Sequence, residues 1–195
     1  MLKNNFYLII ALLISLSLIG CVAPSNTLSI DPNITLPAQD PTIRAISINI
    51  TSIDKRSSTA LAKVNRNAAL TILKPSRDLR YLLQEALEKQ MIARGYTVNA
   101  PANVNLQIVL NKLYTNVQEG SLRHNLTVDV AISVVAMASN GSISTRIYTR
   151  TYNEQGPLDA SNEKIANAIN KALTDIIADM ANDHETSQFI KQNTQ

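Results

Sequence analysis

The sequence predicts an α/β fold of the α+β kind: a two-layer sandwich in which one mixed, mostly antiparallel sheet of four to five strands carries two helices on one face. Three observations predict it. Residues 104–110, 126–134 and 143–152 alternate apolar and polar side chains, the period-two pattern of half-buried strands. Residues 79–91 and 165–180 instead repeat apolar side chains at steps of three and four, the mark of a helix with one buried face. Because both helices are one-sided, each must cover a sheet face.

The chain opens on a secretory signal, residues 1–20. Met1–Asn5 is short and carries Lys3, and Phe6 to Ile19 is nearly all apolar. That run is shorter than the roughly 20 residues a helix needs to cross the hydrocarbon core. It ends on Leu18-Ile19-Gly20-Cys21, which is similar to the lipobox of bacterial lipoproteins. The similarity implies a diacylglyceryl group on the Cys21 thiol, cleavage before it, and acylation of the new amine. Cys21 is the one cysteine, so an internal disulfide is excluded, and lipidation removes the oddity of a lone thiol in an exported chain. In such lipoproteins an Asp after the cysteine tends to retain the protein at the inner membrane. Val22 stands there instead and implies transfer to the outer membrane, on its periplasmic side.

Residues 21–42 carry Pro24, Pro32, Pro37 and Pro41 and read as a semi-extended tether, with Ile30, Ile34 and Leu36 available to pack onto the domain. Residues 43–183 form a single periplasmic domain. Roughly 150 residues bury about two-thirds of their unfolded surface, enough for one core. Strand one is expected within Arg44–Ile53, with Ile46, Ile48 and Ile50 on one face. Leu61–Asn67 is ambiguous, and Ala69–Leu73 is a possible second strand ended by Lys74-Pro75. Ser76 is expected to cap the first helix, Glu85 and Lys89 to pair across one turn, and Gly95 to end it in the left-handed conformation. After the strands of residues 104–110 and 126–134, Ser139-Asn140-Gly141-Ser142 is a hairpin signal, since Asn-Gly takes positive φ at low cost. The next strand spans Ile143–Tyr152. Asp159 or Ser161 caps the long second helix, and residues 184–195 form a polar tail expected to fray, save for a short turn docked by Phe189 and Ile190.

Composition narrows function mainly by exclusion. At 45% hydrophobic and 17% charged the chain is ordinary globular protein. Loss of Lys3 with the signal lowers the net charge from +3 to +2, too little to argue for nucleic acid. The charge is uneven, +5 over residues 22–123 and −2 from residue 146 onward. His124 and His184 lie in no chelating spacing and are expected at the surface. With Cys21 lipidated no thiol nucleophile remains, and no G-x-S-x-G, P-loop or dinucleotide motif is present. Asp175, Asp179 and Asp183 recur every fourth residue and read as the solvated face of helix two; Asp54 and Arg56 read as a turn with a local ion pair. No catalytic residue, metal or cofactor is expected.

One cluster is physically unusual. Lys74 precedes the first helix and Arg77 and Arg80 are expected in its first turn, where the helix dipole disfavours cations by about 0.3–1 kcal/mol each. Ser76, Arg77 and Arg80 with free N–H groups would suit a phosphate or carboxylate. Asp78 offers the simpler account, balancing the dipole and pairing locally.

The segments Asn33-Ile-Thr-Leu-Pro-Ala-Gln-Asp-Pro41 and Pro75-Ser-Arg-Asp-Leu-Arg-Tyr-Leu-Leu-Gln-Glu85 resemble the YajG family of bacterial lipoproteins. So do Thr59–Val64, Leu87–Met91, Ala93–Tyr96, Val104–Ile108, Ala178–Met180 and Phe189–Gln192. The resemblance spans nearly all the chain after Cys21. It implies a Gram-negative source and an outer-membrane lipid anchor, carries over Cys21 alone as a functional residue, and implies that part of Asn33–Pro41 packs on the domain. The expected function is a non-catalytic interaction or scaffolding module that is tethered to the membrane and binds an unknown envelope protein. The alternative is a carrier or sensor of an anionic lipid or peptidoglycan fragment.

Overall fold

A computed structural model describes residues 26–194 apart from residues 44, 67 and 100. The expected signal, the expected lipobox residues Leu18, Ile19 and Gly20, the expected lipidation site Cys21 and the expected sorting position Val22 lie outside the described residues. In chain order the elements are β1 (Thr27–Leu28), β2 (Ser47–Asp54), β3 (Ala62–Arg66), β4 (Ala69–Pro75), α1 (Leu79–Arg94), β5 (Thr97–Val98), β6 (Val104–Glu119), β7 (Arg123–Ala138), β8 (Ile143–Pro157), α2 (Asn162–Asn182) and α3 (Glu185–Gln192).

The class is α+β as expected, but among the described residues the sheet has eight strands, not four to five, and three helices cover it, not two. Its spine is the antiparallel meander β6–β7–β8. The other edge of β6 serves two partners in turn. Its first half pairs in parallel with β2, from Ile48 opposite Val104 to Asp54 opposite Leu110. The register then slips between Leu110 and Lys112, a bulge that bends the strand. Beyond it Ala62 of β3 lies opposite Thr115, and β3 leads on to β4 and β1. The small β5 extends β2.

The extra strands escape a sequence reading for identifiable reasons. β1 and β5 are two residues each, too short to show a period. The central strands run to fifteen and sixteen residues because they continue past their aliphatic stretches, with Thr, Asn and Gln on the open face. The inward side chains of β6 and β7, among them Leu106, Ile108, Val128, Val130 and Ile132, meet the stripes of α1 and α2 in one core. Those stripes are as expected: Leu79, Leu82, Leu83, Ala86, Leu87 and Met91 on α1, and Ile165 to Met180 on α2, are buried. Glu85 and Lys89 pair at 2.6 Å, Gly95 ends α1 at φ 111°, and Gly141 turns the β7–β8 hairpin at φ 90°.

Both ends of the described chain are docked. Leu28 and Ile30 are buried in the core, although Leu36 is exposed, so residues 26–35 are not a free tether. The Asp31 and Asn33 amides donate to Asn170 Oδ1 and Thr174 Oγ1 of α2, and Gln90 Nε2 reaches the Thr35 carbonyl. Side chains thus satisfy backbone groups that have no ladder of their own. At the other end, the expected fraying tail is the helix α3. Ile190 is fully buried, Tyr96 donates to the Ser187 carbonyl, and Lys191 pairs with Asp40 at 3.0 Å.

The join between α1 and α2 is made by a buried cation. Arg94, at the end of α1, donates to the carbonyls of Ala181 and Asp183, both at 2.6 Å, and more distantly to that of Met180. The last carbonyls of a helix have no intrahelical donor. Here a guanidinium from the neighbouring helix supplies one, placed at the negative end of the α2 dipole. Burial pulls Arg94 below the usual guanidinium range, and the nearby Tyr96 and Asp183 oppose that pull.

Candidate functional site

β4 enters α1 through Ser76, Arg77 and Asp78, and the turn is set by Asp78. Its backbone is extended and its carboxylate accepts the Arg80 amide at 2.9 Å, so Asp78, not Ser76, caps the helix. The helix therefore starts at Leu79. Arg77 precedes it, and of the two arginines only Arg80 lies in the first turn.

These residues line an open surface cleft of about 550 Å³ together with Asp54, Arg56, Thr59 and Lys74. Its cations are largely spoken for. Arg80 grips Asp78 at 2.6 Å, the two charges holding the carboxyl below and the guanidinium above their ordinary ranges. Arg77 reaches back to the Ile30 carbonyl at 3.2 Å and to Asp31 at 3.4 Å. The Arg56 side chain, 5% exposed, forms the expected local pair with Asp54 at 2.8 Å. Burial raises the Asp54 carboxyl, but hydrogen bonds from the Arg56 side chain and amide outweigh it, and the group sits below its ordinary range. Lys74 has no salt-bridge partner among the described residues. The cleft thus brings Ser76, Arg77 and Arg80 together, as their spacing suggests, but each arginine already holds a carboxylate.

Two other candidates are placed differently from expectation. His124 is fully buried, not at the surface: its Nδ1 lies 2.7 Å from the Leu158 carbonyl, and a Cβ at Gly156 would come within 2.6 Å of its ring. Glycine is required there because the imidazole occupies the space a side chain would need. His184 is exposed and touches Arg94. Asp183 is not on a solvated face either. Its carboxylate accepts from the Glu185 amide, Arg146 Nε and Tyr148 Oη at 2.7, 2.8 and 2.9 Å, linking α2, α3 and β8. Asp179 pairs with Arg150 of the same strand. No cluster of three metal-ligating side chains occurs among the described residues.

The Asp183 network predicts a pH dependence. Burial raises this carboxyl, but the three donors outweigh it and hold it below the ordinary carboxylate value. A folded-state pKa below the unfolded one gives stability that is fully present above about pH 4 and is lost as pH falls through the folded value. Asp183→Asn is expected to be less stable than the parent at pH 7 but to lose less on going to pH 3. Urea midpoints at the two pH values check this; parallel losses in both chains would refute it.

The feature that sequence reading did not single out is β8. Its inner face sends Arg146, Tyr148 and Arg150 to α2, while its far edge pairs with no strand among the described residues. Over fifteen residues it carries no Lys and no Pro before Pro157, and its charges Arg146 and Arg150 point inward to Asp183 and Asp179. On the open face of the sheet Ile143 and Ile147 are 66% and 67% exposed, with Met137 opposite Ile143 and half-buried Val135 between. Alternation in this segment marks a strand; whether that strand lies at an edge is not written in it.

The described residues thus form an α+β domain with helices packed on the sheet, none of them long and apolar enough to cross a membrane, and the family that its sequence matches is one of lipoproteins. The chain belongs to the family described as uncharacterized lipoprotein, whose model matches residues 32–191. It is 45% identical over 193 residues to the uncharacterized lipoprotein YajG of Escherichia coli K12, covering 99% of both chains, and equally so to that of Escherichia coli O6:H1. The crystal structure of protein XCC0632 from Xanthomonas campestris matches over 86% of this chain and 99% of its own, with a TM-score of 0.58 at 13% identity, a likeness of fold alone.

Proposed function

We propose that this lipoprotein is a non-catalytic interaction module of the cell envelope, lipidated at Cys21, held on the periplasmic side of the outer membrane, and bound to a partner protein through β8 and the open face beside it. The observation that carries this reading is the fifteen-residue edge that no described strand pairs with, with Ile143 and Ile147 exposed beside it. An extended segment of a partner added to that edge gains main-chain hydrogen bonds, and alternate side chains seat on the isoleucines. Val22 after the cysteine supports the outer membrane as the destination.

Photocrosslinking in cells tests it. A benzoylphenylalanine at position 143 or 147 is expected to trap one discrete protein, whereas the same probe at Lys89, on the outer side of α1, traps none. Adducts of lipid or glycan mass alone would overturn the reading. They would favour the carrier or sensor of an anionic lipid or peptidoglycan fragment, which has in its support the cleft of Lys74, Ser76, Arg77 and Arg80.

A further inference from the structure

We propose that the outer face of the β3–β4 hairpin rests on the bilayer, seating Leu70 and Ile72 among the headgroups of anionic phospholipids. On this hairpin Ala62, Val64 and Leu73 point into the core, so the opposite face is presented outward. That face carries Leu70 and Ile72, 64% and 42% exposed, in a column that ends at Lys74. The antiparallel register sets Lys63 directly opposite Ile72 and Asn65 opposite Leu70. Neither Lys63 nor Lys74 has an ion-pair partner among the described residues. Two exposed aliphatic side chains flanked by two unpaired ammonium groups is the composition of an interfacial contact: apolar groups at the acyl boundary, cations at the phosphate level.

The path of the chain places this face at the membrane. Thr27 pairs with Lys74, and the Lys74 amide donates to the Asn26 carbonyl at 3.0 Å. Asn26 lies five positions after Cys21, a reach of at most about 18 Å. Ile72 and Leu70 lie two and four residues back along β4 from Lys74, about 7 and 14 Å away at strand spacing. A lipid on Cys21 therefore holds the bilayer within reach of the hairpin, and the inference rests on that lipidation. β8 lies four strands away across the sheet, about 19 Å at the usual strand spacing.

The test uses the full lipidated chain in vesicles of phosphatidylethanolamine and phosphatidylglycerol that contain a spin-labelled quencher lipid. A fluorophore is attached through Asn65→Cys on the hairpin or Thr149→Cys on β8, Cys21 being acylated. Vesicle flotation reports the anchor, and quenching reports which end of the sheet is down. The expected result is flotation of both proteins, with strong quenching at position 65 and little at 149. Lys63→Gln and Lys74→Gln should each lower the docked-to-undocked ratio at position 65 about fivefold without changing flotation. Leu70→Asp with Ile72→Asp should remove the difference between the two positions, and an unchanged urea midpoint verifies the fold. Flotation with equally weak quenching at both positions, as when a protein covers the hairpin, overturns the proposal alone. Failure to float overturns the lipidation of Cys21 and the proposal with it.

Discussion

Replacing Cys21 with Ser is expected to abolish acylation of this protein completely, so that a metabolic alkynyl fatty acid labels the parent chain and not the variant. The magnitude comes from the chemistry of the anchor. One myristoyl chain gives a marginal membrane partition constant of about 10⁴ M⁻¹, and each buried methylene contributes about 0.8 kcal/mol. Two or three chains on one residue therefore raise partition by many orders of magnitude beyond what surface lysines supply. The serine chain keeps its apolar leader, so attachment is read in a second variant. In it residues 1–21 are exchanged for a secretory signal cleaved without lipidation, and the domain should appear in the soluble periplasmic fraction. Continued labelling of the Ser variant would show that the acyl group sits elsewhere. Continued membrane binding of the exchanged chain would show that the domain itself holds the bilayer.

Replacing Arg94 with Met is expected to cost about 3 kcal/mol of folding stability, several times the effect of a typical surface substitution. The methionine keeps the apolar stem of the side chain within the core contact but removes every donor. The carbonyls of Ala181 and Asp183 at the end of α2 then lose their partner. Each hydrogen bond to a charged group contributes about 1.5–3 kcal/mol, and a buried acceptor left alone costs about 1–3 kcal/mol. Relief of the desolvation that lowers the Arg94 pKa offsets part of this, and so the expectation sits well below the summed bonds. Arg94→Lys, with one ammonium for two diverging carbonyls, should fall between. Urea unfolding of the chain after Cys21 checks the series through shifted midpoints at constant slope. A loss under about 0.5 kcal/mol for Arg94→Met would mean that water serves the α2 terminus as well as the guanidinium does.

The two helices and the three central strands were legible because their signals are local. A stripe such as Leu79, Leu82, Leu83, Leu87 or an alternation such as Leu126, Val128, Val130, Ile132 is fixed by the geometry of one element facing one core. The same holds for Gly95, the Glu85–Lys89 pair and the Asn140-Gly141 turn, each settled within a few residues. The cap of α1 is Asp78 and not Ser76, two residues earlier: both have the right side chain, and the backbone and hydrogen bond at Asp78 decide between them. The burial of His124 was not legible, since it depends on Gly156, 32 positions away, leaving room above the ring.

The sequence by itself determined the class of fold, the two apolar stripes, the membership in a lipoprotein family and the expectation of a lipid at Cys21. All of these depend on neighbours along the chain or on patterns repeated within one segment. The tertiary structure alone decided that β6 divides one edge between β2 and β3, that Arg94 closes the end of α2, that Asp183 joins α2, α3 and β8, and that β8 is left at the rim. These depend on which distant segments meet. A strand's alternation reports that one face is buried, and it is the same whether a neighbour lies on both edges or on one, because hydrogen bonding runs in the plane of the sheet, at right angles to the side chains that carry the pattern.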